Sequence, residues 1–313
     1  MDPSPHDPHL ISIVIPCRNA ADSVGRLIER LRSLPVPDGW TVEIVVGYQR
    51  SEDETLSVLE ATGVRVAHCD SFGPGPARNA AVAESHGTYL HFIDADACPA
   101  RDDLFLRFAE ATEELGDFGG IGGPILLEPR QRRNPIAVAD HLACWFNWTA
   151  SRRSGQTELF QPTANFAVRR EVFEQVGGFD PAFRVLQDFE IQERILALGL
   201  PLHFRADLPV YHHARGTIRS SWGHSWWWGI PFRKTYIDRK RAARGCGVTD
   251  RRWFWLHLPR IFQRRLVVIS RRSWPASKWQ LVLTFPLIMA TVLAWSIAVV
   301  VGKGQPPAEA QSP

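Results

Sequence analysis

The sequence predicts an α/β protein with a mostly parallel sheet covered by helices on both faces, followed by a C-terminal transmembrane helix. Two observations carry this. Over the first two hundred residues, short β-branched runs alternate with segments whose apolar residues recur at helical spacing. From Trp279 to Val301, 23 residues pass without a charge, enough to cross a bilayer core of about 30 Å.

The elements follow in order. Ile11-Ser12-Ile13-Val14-Ile15 is the first strand, and Val24, Leu27, Ile28, Leu31 and Leu34 mark the helix after it, with Asp22 available as a cap. Thr41 to Val46 reads as a strand, Ser51 to Ala61 as a helix with acids in its first turn, and Val64 to Ala67 as a strand. Pro76 to Ser85 is an Ala-rich helix with proline at an allowed early position. Tyr89 to Ile93 is a fourth strand and Asp102 to Leu115 a helix. Beyond Gly119 the alternation loosens. Ile121 to Leu127 reads as a strand, Pro135 to Ala150 as a helix and Asn165 to Val168 as a short strand. Helices follow at Arg170 to Val176 and Asp188 to Leu198, then a strand at Pro209 to Tyr211.

Composition narrows the class. The 313 residues carry 36 Lys and Arg against 33 Asp and Glu, so the net charge of +3 is slight, but its distribution is uneven. Seven arginines and no acid lie between Arg251 and Arg272, a run suited to an anionic membrane surface. The same arginines would suit nucleic acid, but that would leave the apolar run unexplained, so no nucleic-acid partner is expected. The five cysteines are widely spaced and form no C-x-x-C pair, which argues against a disulfide framework or structural zinc and suits a reducing compartment. Residues 1–8, rich in Pro, Asp and His, read as a disordered N-terminus without a signal peptide. The tail, 302–313, is short, polar and likewise expected to be disordered.

Chemistry concentrates at Asp94-Ala95-Asp96, at the C-terminal tip of the fourth strand, where open α/β sheets bind ligands. Two carboxylates there can hold a hard divalent cation, Mg2+ or Mn2+, which would neutralise a departing diphosphate. Two solvated acids ending a strand are the plainer alternative. The loop Asp70 to Pro76 brings two glycines and a helix N-terminus to the same edge.

Four segments together resemble family 2 glycosyltransferases of the GT-A fold. They are Ile11 to Asn19, Gly75-Pro76-Ala77-Arg78-Asn79-Ala80-Ala81, Gly87 to Asp96, and Asn165 to Arg170 continuing through Gly177-Gly178-Phe179-Asp180 to Gln187-Asp188. The resemblance covers about residues 9–215, which read as the catalytic domain. It implies transfer of a sugar, with inversion, from a nucleotide-diphosphate donor to a hydroxyl. It gives Asp94 a donor-ribose or metal contact, Asp96 the metal, and Asp188 the general base, although Asp188 would otherwise read as a helix cap. It places Pro16, Arg18 and Asn19 on the nucleotide side, Arg78 and Asn79 near the diphosphate or ribose, and His212 among possible metal ligands. One departure stands out. Family members carry an acid after the second strand, where this chain has Val46-Gly47-Tyr48-Gln49-Arg50-Ser51-Glu52-Asp53, so base recognition would fall to Gln49, Asp53 or backbone groups. Gln187 likewise replaces the glutamate of the family's E-D pair.

Residues 216–278 form an aromatic and basic membrane-proximal region, and 279–301 the span. Trp222, Trp226, Trp227 and Trp228 suit interfacial depth, with sugar stacking or core packing as alternatives. Arginines upstream of the span place the catalytic bulk in the cytoplasm of a single-pass protein of the cell membrane. The expected function is a membrane-anchored, metal-dependent, inverting glycosyltransferase of cell-envelope polysaccharide, with a lipid-linked or membrane-proximal glycan acceptor. The alternative is a weakly active or non-catalytic scaffold that binds nucleotide sugar.

Overall fold

Leu10–Cys17 (β1) is a run of aliphatic residues of the kind a parallel sheet buries on both faces. It pairs in parallel with Thr41–Tyr48 (β2) on one side and Tyr89–Ile93 (β4) on the other, and β2 pairs with Arg65–His68 (β3). The computed structural model describes residues 9–233, 237 and 251–302. The expectations for residues 1–8, for the tail after Gly302, and for 234–236 and 238–250 of the membrane-proximal region lie outside the described residues.

The crossovers between these parallel strands are supplied by helices Val24–Arg32 (α1), Thr55–Thr62 (α2) and Pro74–Ala83 (α3). Then come Ala97–Pro99 (β5), Leu104–Leu115 (α4), Gly120–Gly122 (β6), Ile125–Leu127 (β7), Pro135–Trp145 (α5), Gly155–Thr157 (β8), Asn165–Arg169 (β9), Arg170–Gln175 (α6), Gln187–Ala197 (α7), Leu202–Phe204 (β10) and Val210–His212 (β11). The main sheet runs β3-β2-β1-β4-β9-β6-β10-β8, and β9 is antiparallel to both neighbours. The period-2 alternation of strands divides the core. Ile11, Ile13 and Ile15 face α1 and α4 with Leu27, Leu104 and Phe108. Val14, Val45, Leu90, Phe92 and Val168 face the other way, against Ala81 of α3, Val172 of α6 and Ile191 of α7.

Two compact units emerge. Among the described residues, the first comprises 9–125, 152–183 and 187–212, and the second 126–151, 184–186 and 213–302. The second unit thus takes a middle segment, with α5, out of the stretch read as one domain over 9–215. It also contains Ile218–Phe232 (α8), opened by a Thr217 capping box with Ser220, and Arg251–Val301 (α9). Within α9, Leu258–Val301 is long and apolar enough to cross a membrane. The structure adds a feature absent from the expectation of a lone span over 279–301. The backbone leaves the helical region at Ser277 (φ −144°, ψ 30°). The Arg265 guanidinium then lies 3.8 Å from the Trp295 ring centroid. A straight helix would separate these residues by about 45 Å. The two arms of α9 therefore fold back as an antiparallel hairpin.

Candidate active site

The C-terminal ends of β1, β2 and β4 adjoin where the strand order reverses, the position at which open α/β sheets bind ligands. Asp94 follows β4 directly, and its carbonyl accepts the Ala97 N–H at 2.9 Å, which turns the chain through Ala95 and Asp96. β5 then pairs antiparallel with β11, setting His212 opposite Ala97. This short ladder brings His212 Nε2 to 3.3 Å from Asp96 Oδ1. The ligand atoms of Asp94, Asp96 and His212 all lie within 4.8 Å of one another. Two carboxylates and one imidazole are donors that suit Mg2+ or Mn2+. His213, the adjacent residue, instead meets Glu128 at 2.8 Å.

Arg78 projects from α3, and its Nη2 donates to Asp94 Oδ1 at 2.6 Å, with the arginine 2 % exposed. Its guanidinium also sits 5.6 Å from the Phe179 ring centroid. A buried arginine needs such a counter-charge, and here it holds one Asp94 oxygen in place.

Asp188 lies in the first turn of α7 and is buried. Burial pushes its carboxyl up to about 6, and Asp94 adds to the rise, while the Phe189 N–H and the Arg78 charge oppose it. Asp188 is therefore close enough to the Arg78–Asp94 pair to feel both charges. The residue before α7, Leu186, has φ 65°, a left-handed conformation that costs a leucine about 1–3 kcal/mol and is typical of functional sites.

The remaining candidates are engaged in contacts between the surrounding loops. Asn79 spends both ends of its amide on one partner: Nδ2 donates to the Phe179 carbonyl at 2.7 Å and Oδ1 accepts the Phe179 N–H at 3.0 Å. The side chain thereby pins the Gly177-Gly178-Phe179 turn to α3. Gln49 is also occupied, with Nε2 donating to the carbonyls of Gly73 (3.0 Å) and Ser71. Its donors hold the loop before α3 and are not available to read a base. Asp53 accepts the N–H groups of Ala21 and Thr55, both at 3.1 Å. Desolvation would raise its pKa, but bonds from Thr55 and Ala21 prevail and hold it below the usual carboxylate value. Asn19 (φ 50°) accepts the Glu52 N–H at 2.8 Å, and Arg18 stacks 4.7 Å from the Phe72 ring centroid and donates to the Arg50 carbonyl. Pro16 sits in β1 beside Gly47. Arg18, Asn19 and Asp53 thus knit the loops after β1 and β2 into one rim.

A Cβ at Gly47 would lie 1.9 Å from the Ala77 carbonyl, so α3 presses directly on the end of β2. The α3 N-terminus is a poorer anion site than its position suggests, because Pro74 and Pro76 contribute no N–H to the first turn. Cys17, at the end of β1, is no nucleophile: burial, aided by Asp53, pushes its thiol up to about 12. Sequence reasoning missed Glu190 and Arg194. Their ion pair (2.6 Å) lets Arg194 Nη2 donate to the Gly178 carbonyl at 2.8 Å, clamping the same turn from the α7 side. Acid and base four residues apart on a helix were the available signal.

Comparisons with known proteins agree with this geometry. Over 229 residues the chain is 27% identical to the pre-mycofactocin glycosyltransferase of Mycobacterium tuberculosis, covering 67% of this chain and 44% of that protein. Over 219 residues it is 28% identical to the succinoglycan biosynthesis protein ExoO of Rhizobium meliloti, covering 66% and 62%. The chain thus spans about half the length of these relatives. Among solved structures it resembles the mannosyltransferase PcManGT from Pyrobaculum calidifontis, in complex with GDP-Man and Mn2+ (TM-score 0.56, 17% identity, 93% of this chain and 87% of that one). It also resembles S. aureus TarS in complex with UDP-GlcNAc (TM-score 0.51, 14% identity, 92% and 90%). The fold is GT-A-like, and residues 12–177 match the glycosyl transferase family 2 pattern. The chain belongs to glycosyl transferase family 2.

Proposed function

We propose that this glycosyltransferase is inverting and metal-dependent, and that it moves a sugar from a nucleotide-diphosphate donor to a hydroxyl of a lipid-linked or membrane-proximal glycan. The observation that carries the reading is Asp188, a buried carboxylate with its pKa pushed up to about 6 beside the Arg78–Asp94 pair. A general base works best when its pKa lies near the working pH, and an acceptor hydroxyl is a poor nucleophile until a carboxylate takes its proton. Asp188 takes that proton as the oxygen closes on the anomeric carbon from the side opposite the leaving diphosphate, which inverts the centre. Asp94, Asp96 and His212 would hold the divalent cation. When bound, that ion supplies positive charge to the departing diphosphate. Arg78 keeps Asp94 oriented and limits its repulsion of Asp188. The neutral Gln187 adds no further negative charge beside the base.

The solved relatives that hold GDP-Man with Mn2+, or UDP-GlcNAc, support a nucleotide-sugar donor and a divalent metal. Arg18 and Pro16 would border the nucleotide. The basic, acid-free helix α9 supports attachment to an anionic cytoplasmic membrane face, with the catalytic unit on that side. A scaffold that binds donor without turnover is the competing reading, motivated by the side chains of Gln49 and Asp53 being engaged in loop contacts. A panel of nucleotide sugars, with and without Mn2+ or Mg2+, decides between them. Metal-dependent release of nucleoside diphosphate is expected, and binding of a donor with no turnover on any acceptor would sink the enzymatic reading.

A further inference from the structure

The α9 hairpin presents a different surface from that of a single apolar span. Its open end is closed by packing: Leu258 and Ile261 of the first arm lie against Trp295, Val299 and Val300 of the second. Arg233, just after α8, donates to the Gly302 carbonyl at 2.8 Å. The start and finish of the hairpin are therefore held at one end. The other end is the turn at Ser277, and its surroundings differ in chemistry. Arg271, Arg272 and Lys278 are exposed there, as are Trp274 (54 %), Trp279 (70 %) and Leu283 (79 %). Arg272 reaches Asn147, so Arg271 and Lys278 are the more available charges. No Asp or Glu occurs from Arg251 to Val301. Exposed tryptophan and leucine beside cations in a helix without acids match an anionic bilayer surface, with the rings at headgroup depth and the aliphatic tips below.

The same hairpin is poorly built to cross. Its first arm carries exposed Arg260, Gln263 and Arg264 along its middle, and a crossing would set Arg264 against hydrocarbon near the bilayer centre. The buried side of the second arm is already covered: Ile288 and Val292 pack with Ala137, Leu142 and Phe146 of the α5 segment.

We infer that the hairpin enters one leaflet turn-first and does not cross the membrane, so that both chain ends stay on the same face and the ligand of the turn is anionic lipid. This rests on the reading that the protein works at a membrane. Two measurements on the full-length chain test it. In vesicle co-sedimentation, binding to phosphatidylcholine vesicles containing phosphatidylglycerol should exceed binding to pure phosphatidylcholine at least tenfold. Arg271→Gln with Lys278→Gln should erase that preference, and Trp274→Ser with Trp279→Ser should weaken binding to both vesicles tenfold or more, with donor binding unchanged. In sealed membrane vesicles, tags at the two chain ends should be digested by protease from the same face. Lys278→Cys should gain no label over the parent chain from an impermeant maleimide added to the opposite face. Tags on opposite faces, or labelling of Cys from the opposite face, would overturn the one-leaflet hairpin while leaving membrane attachment intact. Equal binding to both vesicles would overturn the anionic-lipid assignment. Binding to no vesicle would remove the membrane reading itself.

Discussion

Asp188 is where a single residue has most consequence. Asp188→Asn keeps the shape and removes the proposed base, so turnover should fall about 10²- to 10⁴-fold while donor affinity is kept, as read by kcat against donor Kd. In the parent enzyme, kcat/KM should rise with pH through about 6 and level off above it, because the base must be unprotonated to act. Stability runs the other way. Burial raises the Asp188 pKa, so between the ordinary carboxylate value and about 6 the folded state holds a proton that the unfolded chain has released. Stability from this group is therefore lost as pH rises across that interval. Asp188→Asn should stabilise the protein at pH 7, by at most about 3 kcal/mol, and have little effect at pH 4; urea titrations at the two pH values measure it. Asp96→Asn should abolish the Mn2+-dependent part of the donor thermal shift. The acids were legible as residues because two carboxylates one apart at a strand tip have few uses. The geometry of His212 was not, since a His-His pair leaves open which ring turns inward.

At the scale of elements, the longer strands and helices were legible because each repeats its period several times. Tyr89–Ile93 was read to the residue. The three-residue strands Ala97–Pro99, Gly155–Thr157 and Leu202–Phe204 were invisible, because three residues carry no period and their pairing partners lie far away in sequence. Two polar candidates carry structural contacts that their motifs do not announce. Asn79 and Gln49 sit beside the site, and sequence motif alone cannot tell a side chain that touches substrate from one that braces the loop touching it. Asn79→Ala should cost about 1–3 kcal/mol by leaving the Phe179 N–H and carbonyl without this partner, with donor affinity of the folded enzyme unchanged. A loss of donor affinity without loss of stability would restore the diphosphate role. Gly47→Ala drives a methyl into the Ala77 carbonyl and should cost about 3 kcal/mol or more, seen as a lower denaturation midpoint.

At the scale of the molecule, charge-free length in 279–301 correctly marked a helix apolar enough for a membrane, but it held no information on direction. A long-range contact did: Arg265 on Trp295 requires the chain to reverse, and α9 thereby becomes a hairpin. The sequence by itself determined the fold class, the family and the pair of acids at the tip of the fourth strand, because these follow from local periodicity and from motifs a few residues long. Tertiary structure alone decided that His212 joins Asp96, that Asn79 and Gln49 brace loops, that burial pushes the Asp188 carboxyl up, and that the apolar run turns back on itself. Each of these depends on which distant groups displace water around a side chain, and the order of residues along the chain does not encode that locally.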